Sequence, residues 1–432
     1  MNQIYKKSSS EIGSFYQQKS QNINQTNKPQ IKDSYNQKDY CYLDKSIPLQ
    51  QVSSQQSNGK YNYKSILSRS GSNQYIPQKG KIRNGIVNLG NTCYMNSVLQ
   101  QLFNLPKFKN VFSNKEEEIG NRVKNSRKNY GISLYLCILI DLDDFLTYNE
   151  ILEFKNIIDE ALPQLEGFQQ QDAQEFMISI LQCVHEELNK SDDSRKYRRL
   201  DTVDMNQNLN KQAEEWWQYF KRRDDSEITD MFGGQFINRI RCINQMCRKE
   251  NVSFDNFRDV SLPLIDEYDR LISMVDLRQL IEMFCNYQQK LEGYKCDKCK
   301  QENSCRRIVQ FQKLPEILVF TFKRFGNYQM NKKLDTKISF PDLLDMSTIV
   351  NSKQQGYGFK QHYYKLSGYI LHHGSEIQSG HYTSNVKNFE TNQWLQYNDD
   401  KVSELNKQHL YEKQGSDEVY MSPPQFNGRT QH

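Results

Sequence analysis

The sequence predicts an α+β protein, helical in its first half and sheet-rich in its second, and three observations carry that reading. Up to about residue 190 apolar residues recur with helical spacing. From Phe232 onward short runs of β-branched and aromatic residues take over. The first 80 residues keep neither period.

Those first 80 residues are dominated by Gln, Asn, Ser, Lys and Tyr, as in QQKSQNINQTNKPQ and LQQVSSQQSNGK. They cannot bury enough apolar surface to offset ordering entropy, so 1–80 is expected to be a disordered tail, either passive or a partner-binding or targeting segment. From Lys81 the texture changes. After Cys93 the residues Met95, Val98, Leu99, Leu102 and Phe103 share one helical face, with Asn91 and Thr92 suited to capping its start. Leu134 to Ile158 reads as further helix. Another helix starts near Asp172, with Ala173, Phe176, Met177, Ile180, Leu181, Val184 and Leu188 as its stripe. Residues 191–211 look like a polar loop, followed by a short helix in AEEWWQYFKRR. The runs QFINRIRC, VSFDNFRDVSLPL, CRRIVQFQ, ILVFTFKRF, YKLSGYILHH, HYTSNVKN and WLQYND then read as strands. EVYMSPPQF carries consecutive prolines at 423 and 424 that cannot donate to a ladder, so the domain is expected to close near Met421, with 81–422 folded and 423–432 a C-terminal tail.

Composition narrows the function. No apolar run approaches the roughly 18–20 residues of a membrane span, the longest being Ile132 to Ile140. The N-terminus lacks the apolar core of a secretory signal, so the chain is expected to stay in a reducing compartment, cytoplasm or nucleus, with its ten cysteines mostly thiols or metal ligands. Net charge is +5, but residues 1–80 hold ten Lys and one Arg against one Glu and three Asp, or +7, so the remainder carries +5 − 7 = −2. A folded part without net positive charge argues against a nucleic-acid partner.

Three distant segments carry residues that together suit thiol hydrolysis. In NLGNTCYMNS, Cys93 follows a glycine-containing loop and opens a helix, whose unpaired N–H groups and dipole favour a thiolate. Asn88 and the N–H groups near Cys93 are candidate oxyanion donors. A cysteine in a helix is otherwise a small buried hydrophobe. In SGYILHHGSEIQSGHYTS, His381 starts a strand after a loop and is the candidate base, with His372 and His373 in surface or supporting positions. In WLQYNDDKV a strand ends in Asn398, Asp399 and Asp400, where an oxygen could accept the Nδ1–H of the base; alone, such a run is only a turn. Cysteine, then histidine almost 290 residues later, then Asn/Asp is the chain order of a Cys-His-Asn/Asp hydrolase. Separately, Cys296 and Cys299 in CDKC, with Cys242 and Cys247 about fifty residues earlier, suggest a four-thiolate structural zinc site.

The segments GIVNLGNTCYMNSVLQQL, QQQDAQEF, FGGQFINRIRC, LPEILVFTFKRF, YKLSGYILHHGSEIQSGHYTS and WLQYNDDKV, in this order, resemble the signature blocks of the ubiquitin-specific proteases. The resemblance covers about residues 82 to 420. It implies a papain-like fold with a helical thumb, a β-rich palm and zinc-ribbon-like fingers. It also implies a thiol-dependent deubiquitinase cleaving after the C-terminal glycine of ubiquitin on proteins or ubiquitin chains. In that reading Cys93 is the nucleophile, His381 the base, Asn398 the third member, Asp399 a supporting group and Asn88 an oxyanion donor. Gln171 and Asp172 line the substrate channel or, equally, cap their helix. The cysteine pairs would close the tip of the fingers, although CINQMC has four intervening residues where two are usual, which leaves Cys305 as a substitute ligand. The partners implied are ubiquitin and ubiquitinated proteins, with no membrane. A catalytically silent ubiquitin-binding scaffold is the alternative, against which stands the joint presence of Cys93, His381 and Asn398. A nucleic-acid adaptor acting through the tail would need an aromatic-basic motif that the tail lacks.

Overall fold

The structure is a computed structural model, described for residues 83–126, 128–142, 146–191, 203–266, 268, 270–324, 333–341, 343–347, 349–350, 363–376, 379–405, 419–422 and 424–426. The expected N-terminal tail, 1–80, and residues 427–432 lie outside these.

The first part is helical: α1 (Cys93–Phe103), α2 (Pro106–Phe112), α3 (Glu116–Asn125), α4 (Ile132–Leu142), α5 (Tyr148–Ala161), α6 (Ala173–Leu188), α7 (Leu209–Lys221) and α8 (Glu227–Phe232). Leu134 to Ile158 therefore divides between two helices, the second opened by a reciprocal cap between Thr147 and Glu150. α7 begins four residues before AEEWW, capped by the Asn208 side chain. Leu99, Phe108, Leu136, Phe154, Phe176 and Ile180 are fully buried in one core shared by these helices. Among the described residues no helix is long and apolar enough to cross a membrane.

The second part contains β1 (Gly234–Cys242), β2 (Glu250–Phe257), β3 (Val260–Pro263), β4 (Met274–Asp276), the helix α9 (Leu277–Asn286), β5 (Gln289–Lys290), β6 (Cys305–Lys313), β7 (Phe320–Lys323), β8 (Lys337–Ser339), β9 (Leu343–Asp345), β10 (Tyr363–Leu366), β11 (Gly368–Glu376), β12 (Ser379–Lys387), β13 (Trp394–Asn398), β14 (Lys401–Leu405), β15 (Val419–Ser422) and β16 (Pro424–Phe426). α9 interrupts what the sequence analysis treated as a β region. Its apolar residues Leu277, Leu280, Ile281 and Phe284 are buried at helical spacing behind a cap shared by Asp276 and Gln279.

A seven-stranded sheet, ordered β14-β13-β12-β11-β15-β7-β3, holds the centre. Its neighbours are antiparallel except β3 and β7. β2-β1-β6-β5 form a separate antiparallel sheet that projects Cys242 and Cys305 opposite one another at one end. At the other end Phe236, Phe257 and Phe311 cluster: Phe236 and Phe257 stack with centroids 4.1 Å apart, and Phe311 meets Phe257 edge-on. Gly234 is required there, because a Cβ would lie 2.2 Å from the Phe257 ring.

The expected tail from residue 423 instead carries β16, which pairs with β10 through Pro424, Gln425 and Phe426. Proline is tolerated because β16 is the edge of its three-stranded sheet, where a missing donor faces no further strand.

α1 packs between α6 and the central sheet, against β12. Every residue of α1 is buried, including the polar Asn96, Ser97, Gln100 and Gln101. The side-chain amide nitrogens of this face find acceptors in the rest of the domain: Gln101 Nε2 donates to Ser384 Oγ at 2.8 Å and to the Asn385 and Tyr369 carbonyls, and Gln100 Nε2 donates to the Asn84 carbonyl at 2.9 Å. Buried amides of this kind fix the helix in one register, since sliding would strand them without partners.

Candidate active site

The loop before α1 is organised by one side chain. Asn88 Oδ1 accepts hydrogen bonds from Gly90 N, Thr92 N and Thr92 Oγ1, at 3.0, 3.1 and 3.2 Å. Thr92 occupies the cap position, but its hydroxyl contacts Asn88 and accepts from Leu89 N, so it makes no side-chain cap hydrogen bond to α1. The expectation that Asn91 and Thr92 cap the helix is thus corrected. Asn91 Nδ2 donates to the Phe168 carbonyl at 3.0 Å instead. The first-turn N–H groups of α1, which have no intrahelical acceptor, are left beside Cys93. Cys93 is the first residue of α1 and is buried.

His381, near the start of β12, lies beside Cys93. Its Nε2 lies 2.6 Å from Asn398 Oδ1. The expectation that Nδ1 would meet the third residue is therefore corrected: Nε2–H donates to Asn398, and Nδ1 is the nitrogen left for Cys93. Interaction with the neighbouring Cys93 raises the imidazole pKa to about 9, helped by Asn398 and the Asp399 carboxylate and opposed by burial. The imidazolium is accordingly the resting form at neutral pH.

Asn398 and Asp399 belong to the two-residue hairpin between β13 and β14, closed by the Asn398–Lys401 pair. Asp399 adopts the left-handed conformation, φ +52°, which a short polar residue tolerates. Its carboxylate is held from two sides: Asn96 Nδ2 donates to Oδ1 at 2.8 Å and Asn88 Nδ2 to Oδ2 at 2.9 Å. Oδ2 lies 3.8 Å from His381 Nε2. The Asp399 carbonyl accepts from Ile86 N at 2.9 Å, and a Cβ on Gly85 would lie 2.4 Å from that carbonyl oxygen. The close approach of Gly85 and Ile86 thus ties the hairpin to the segment that leads into Cys93.

The structure brings Cys93, His381, Asn398, Asp399 and Asn88 together. Asn88 is engaged on both sides of its amide, as a loop organiser and a donor to Asp399. Of the two roles left open for Asp172, the cap is present: its carboxylate accepts from Gln174 N at 2.7 Å and Glu175 N at 3.1 Å. Gln171 is partly exposed just before it. Sequence reasoning missed Gln170, whose Nε2 donates to the Gly380 carbonyl at 2.7 Å and so ties this segment to the residue before the base. Three consecutive glutamines gave no signal to choose among them. Asn96, one helical turn past Cys93, was also missed. His372 is fully buried rather than at the surface, with its ring 4.7 Å from Tyr382. Burial, with the positive charge of Lys333 nearby, lowers its pKa to about 4. His373 is half-buried, its Nε2 2.8 Å from Thr383 Oγ1.

The cysteine pairs converge away from this centre. The sulfurs of Cys242, Cys247, Cys296 and Cys299 all lie within 4.8 Å of one another. Cys242–Cys299 and Cys247–Cys296 are separated by 3.8 and 3.7 Å. A tetrahedral ion bound at about 2.3 Å from each sulfur needs edges of about 3.8 Å, so the donor set fits zinc. The four-residue spacer is accommodated because Cys242 ends β1 while Cys247 sits in a separate turn, where Cys247 N and Arg248 N donate to the Asn244 carbonyl. Cys305 lies opposite Cys242 on β6 and is outside the four-sulfur group. Backbone N–H groups of Cys299 and Lys298 pull the Cys296 thiol pKa below its ordinary value, against burial. That favours the ligating thiolate.

A family profile described as ubiquitin carboxyl-terminal hydrolase matches residues 84–422. Human ubiquitin carboxyl-terminal hydrolase 3 is 29% identical over 345 residues, covering 74% of this chain and 64% of the human protein. Chicken ubiquitin carboxyl-terminal hydrolase 2 is 29% identical over 344 residues, covering 77% of this chain and 92% of the relative. The chain thus spans less than two thirds of the human relative and 52% of the bovine ubiquitin carboxyl-terminal hydrolase 2. Among solved structures, the SAGA Ubp8/Sgf11/Sus1/Sgf73 DUB module bound to ubiquitin aldehyde contains a chain of like fold, with TM-score 0.62 and 20% identity over 85% of this chain and 76% of that one. The same module bound to monoubiquitin gives a TM-score of 0.60, also at 20% identity and with the same coverage. The helical thumb, β-rich palm and cysteine-tipped fingers expected from the sequence are the architecture observed. Since the profile spans most of the folded chain and contains the assembled Cys93–His381–Asn398 group, this protein belongs to the ubiquitin carboxyl-terminal hydrolase family.

Proposed function

We propose that the chain is a thiol-dependent deubiquitinase, hydrolysing the isopeptide or peptide bond after the C-terminal glycine of ubiquitin on proteins or ubiquitin chains. The observation that carries this reading is the convergence of Cys93 with His381, itself hydrogen-bonded to Asn398, at the N-terminus of α1, which has no side-chain cap. The Cys93 thiolate attacks the glycine carbonyl carbon, and the carbonyl π electrons move onto oxygen. The N–H groups of the first turn of α1 and the second hydrogen of Asn88 Nδ2 are the donors for that oxyanion. As the tetrahedral intermediate collapses, the carbon–nitrogen bond breaks and the His381 proton passes to the departing amine, leaving a thioester on Cys93. His381, now neutral, takes a proton from water as the water oxygen attacks the thioester. Collapse breaks the carbon–sulfur bond, restores the thiolate–imidazolium pair and releases the ubiquitin C-terminal carboxylic acid, which gives its proton to solvent. Asn398 keeps the ring oriented throughout, and Asp399 opposes loss of its positive charge. Glycine at the cleavage point suits a narrow channel beside Gln170, Gln171 and Asp172, through which larger side chains would not pass.

Cys242, Cys247, Cys296 and Cys299 would hold a structural zinc ion, which cross-links the end of β1 to the 296–299 turn and takes no part in the chemistry.

Hydrolysis of a fluorogenic amide at the C-terminus of ubiquitin tests this reading. Release of the fluorophore by the wild type, and none by Cys93→Ala, is expected. Binding of ubiquitin by folded, reduced protein without turnover would reject it in favour of a silent scaffold.

A further inference from the structure

Asn96 is 2% exposed on α1, one turn beyond Cys93. Its Nδ2 faces three acceptors: Asp399 Oδ1 at 2.8 Å, the Ile86 carbonyl at 3.1 Å and the Val87 carbonyl at 3.3 Å. Its Oδ1 has no hydrogen-bond partner among the described residues. A buried amide with an unsatisfied oxygen is costly, so its placement is set by what the nitrogen does. The nitrogen joins the nucleophile helix, the approaching segment 86–87 and the hairpin that carries Asn398. Resting on the functional reading above, we propose that Asn96 is a positioning residue for the hydrolysis: its amide clamps Asp399, and through the hairpin sets the Asn398–Asp399 pair against His381.

The chemistry of the clamp explains the choice of residue. Three acceptors converge, one of them a carboxylate, so only a donor satisfies them. Aspartate, of the same size, would place a second negative charge against Asp399 and two carbonyl dipoles. Alanine would free Asp399 Oδ1, leaving Asn88 as the remaining amide donor to that carboxylate among the described residues. Gln100, one turn further along α1, provides the contrast. It is equally buried and its Nε2 holds the Asn84 carbonyl at 2.9 Å, but it reaches neither His381 nor the hairpin.

The test reads His381 directly. In protein labelled with ¹³C only at histidine, seven residues in all, the His381 ring resonance is followed against pH and assigned by its loss in His381→Gln. Asn96→Ala and Asp399→Asn should each lower the His381 midpoint, by about 0.5 pH unit or more. The double variant should shift it no further than Asp399→Asn alone, because both act through one contact. With the ubiquitin amide substrate, both should lower kcat while KM stays within twofold, and Asn96→Asp should fall below Asn96→Ala. Gln100→Ala should lower the melting temperature while leaving the midpoint in place. Thermal unfolding of each variant identifies any that does not fold, and Asn96→Ser then replaces Asn96→Ala. Midpoint shifts of the expected size in a wild-type protein that does not cleave ubiquitin conjugates would uphold the clamp and remove the deubiquitinase reading. Cleavage by the wild type with an unshifted His381 midpoint in Asn96→Ala, or additive shifts in the double variant, would overturn the clamp.

Discussion

The Cys93–His381–Asn398 junction and the tip of the fingers both gather cysteines, yet they are held by different means. At the junction a single thiol is combined with groups from segments about 290 and 310 residues away, and the assembly is maintained by protein alone. Amides of Asn88 and Asn96 hold Asp399, Gln101 fastens α1 to the sheet, and Ile86 pairs with the hairpin. At the fingertip four thiols come from the end of β1 and two short turns, and the group proposed to close them is an ion. The junction should therefore keep its geometry when the fingertip is opened, whereas the fingertip has little of its own to fall back on: its buried apolar residues are the cysteines themselves.

This contrast can be broken in several places, in descending order of effect. Cys93→Ala should reduce turnover by about 10⁴-fold or more, and His381→Ala by about 10²–10⁴-fold, with Asn398→Ala less damaging because it orients the base without exchanging a proton. Cys93→Ala should leave the melting temperature nearly in place. Cys296→Ser should do the reverse. A fall of about 5–10 °C in the melting temperature is expected, equivalent to about 3 kcal/mol for a domain of this size, with activity at 25 °C retained. Chelation of the metal from the wild type should reproduce it. Gly234→Ala should cost about 1–3 kcal/mol by forcing the Phe257 ring away from β1, measured by denaturant unfolding. The smallest effect is a pH dependence. Because the folded-state pKa of His381 is raised from 6.5 to about 9, its interactions stabilise fully below pH 6.5 and are lost as pH rises through 9. Over the same interval kcat/KM should fall, and Asp399→Asn should move that fall to lower pH.

Much of the junction was legible because chemistry restricts the residue types. Cys93 before a helical stripe, His381 after a glycine-bearing loop and Asn398 at a strand end each carried a local signal, and their order along the chain joined them. What the sequence left out is orientation. Which ring nitrogen faces Asn398 depends on the rotamer of His381 on β12, and whether Thr92 caps α1 depends on competition from Asn88 for its hydroxyl. Neither is a matter of pattern. The burial of α1 on all sides was hidden as well, since its Asn and Gln residues resemble a solvated face until the sheet that receives their hydrogen bonds is known. α9 was legible in principle, with Asp276 and Gln279 before a period of 3.6 residues, but it lies among strands whose aromatic runs dominate the region. β16 was obscured by its prolines, which exclude a central strand but not an edge.

The separation of the two cysteine sites is tested most directly by reacting full-length reduced protein with ubiquitin bearing a C-terminal electrophile and mapping the adduct by peptide mass spectrometry. The account predicts one adduct, on Cys93, in the wild type and equally in Cys296→Ser at 25 °C, and none in Cys93→Ala. An adduct on any other cysteine, or loss of the Cys93 adduct in folded Cys296→Ser, would contradict it.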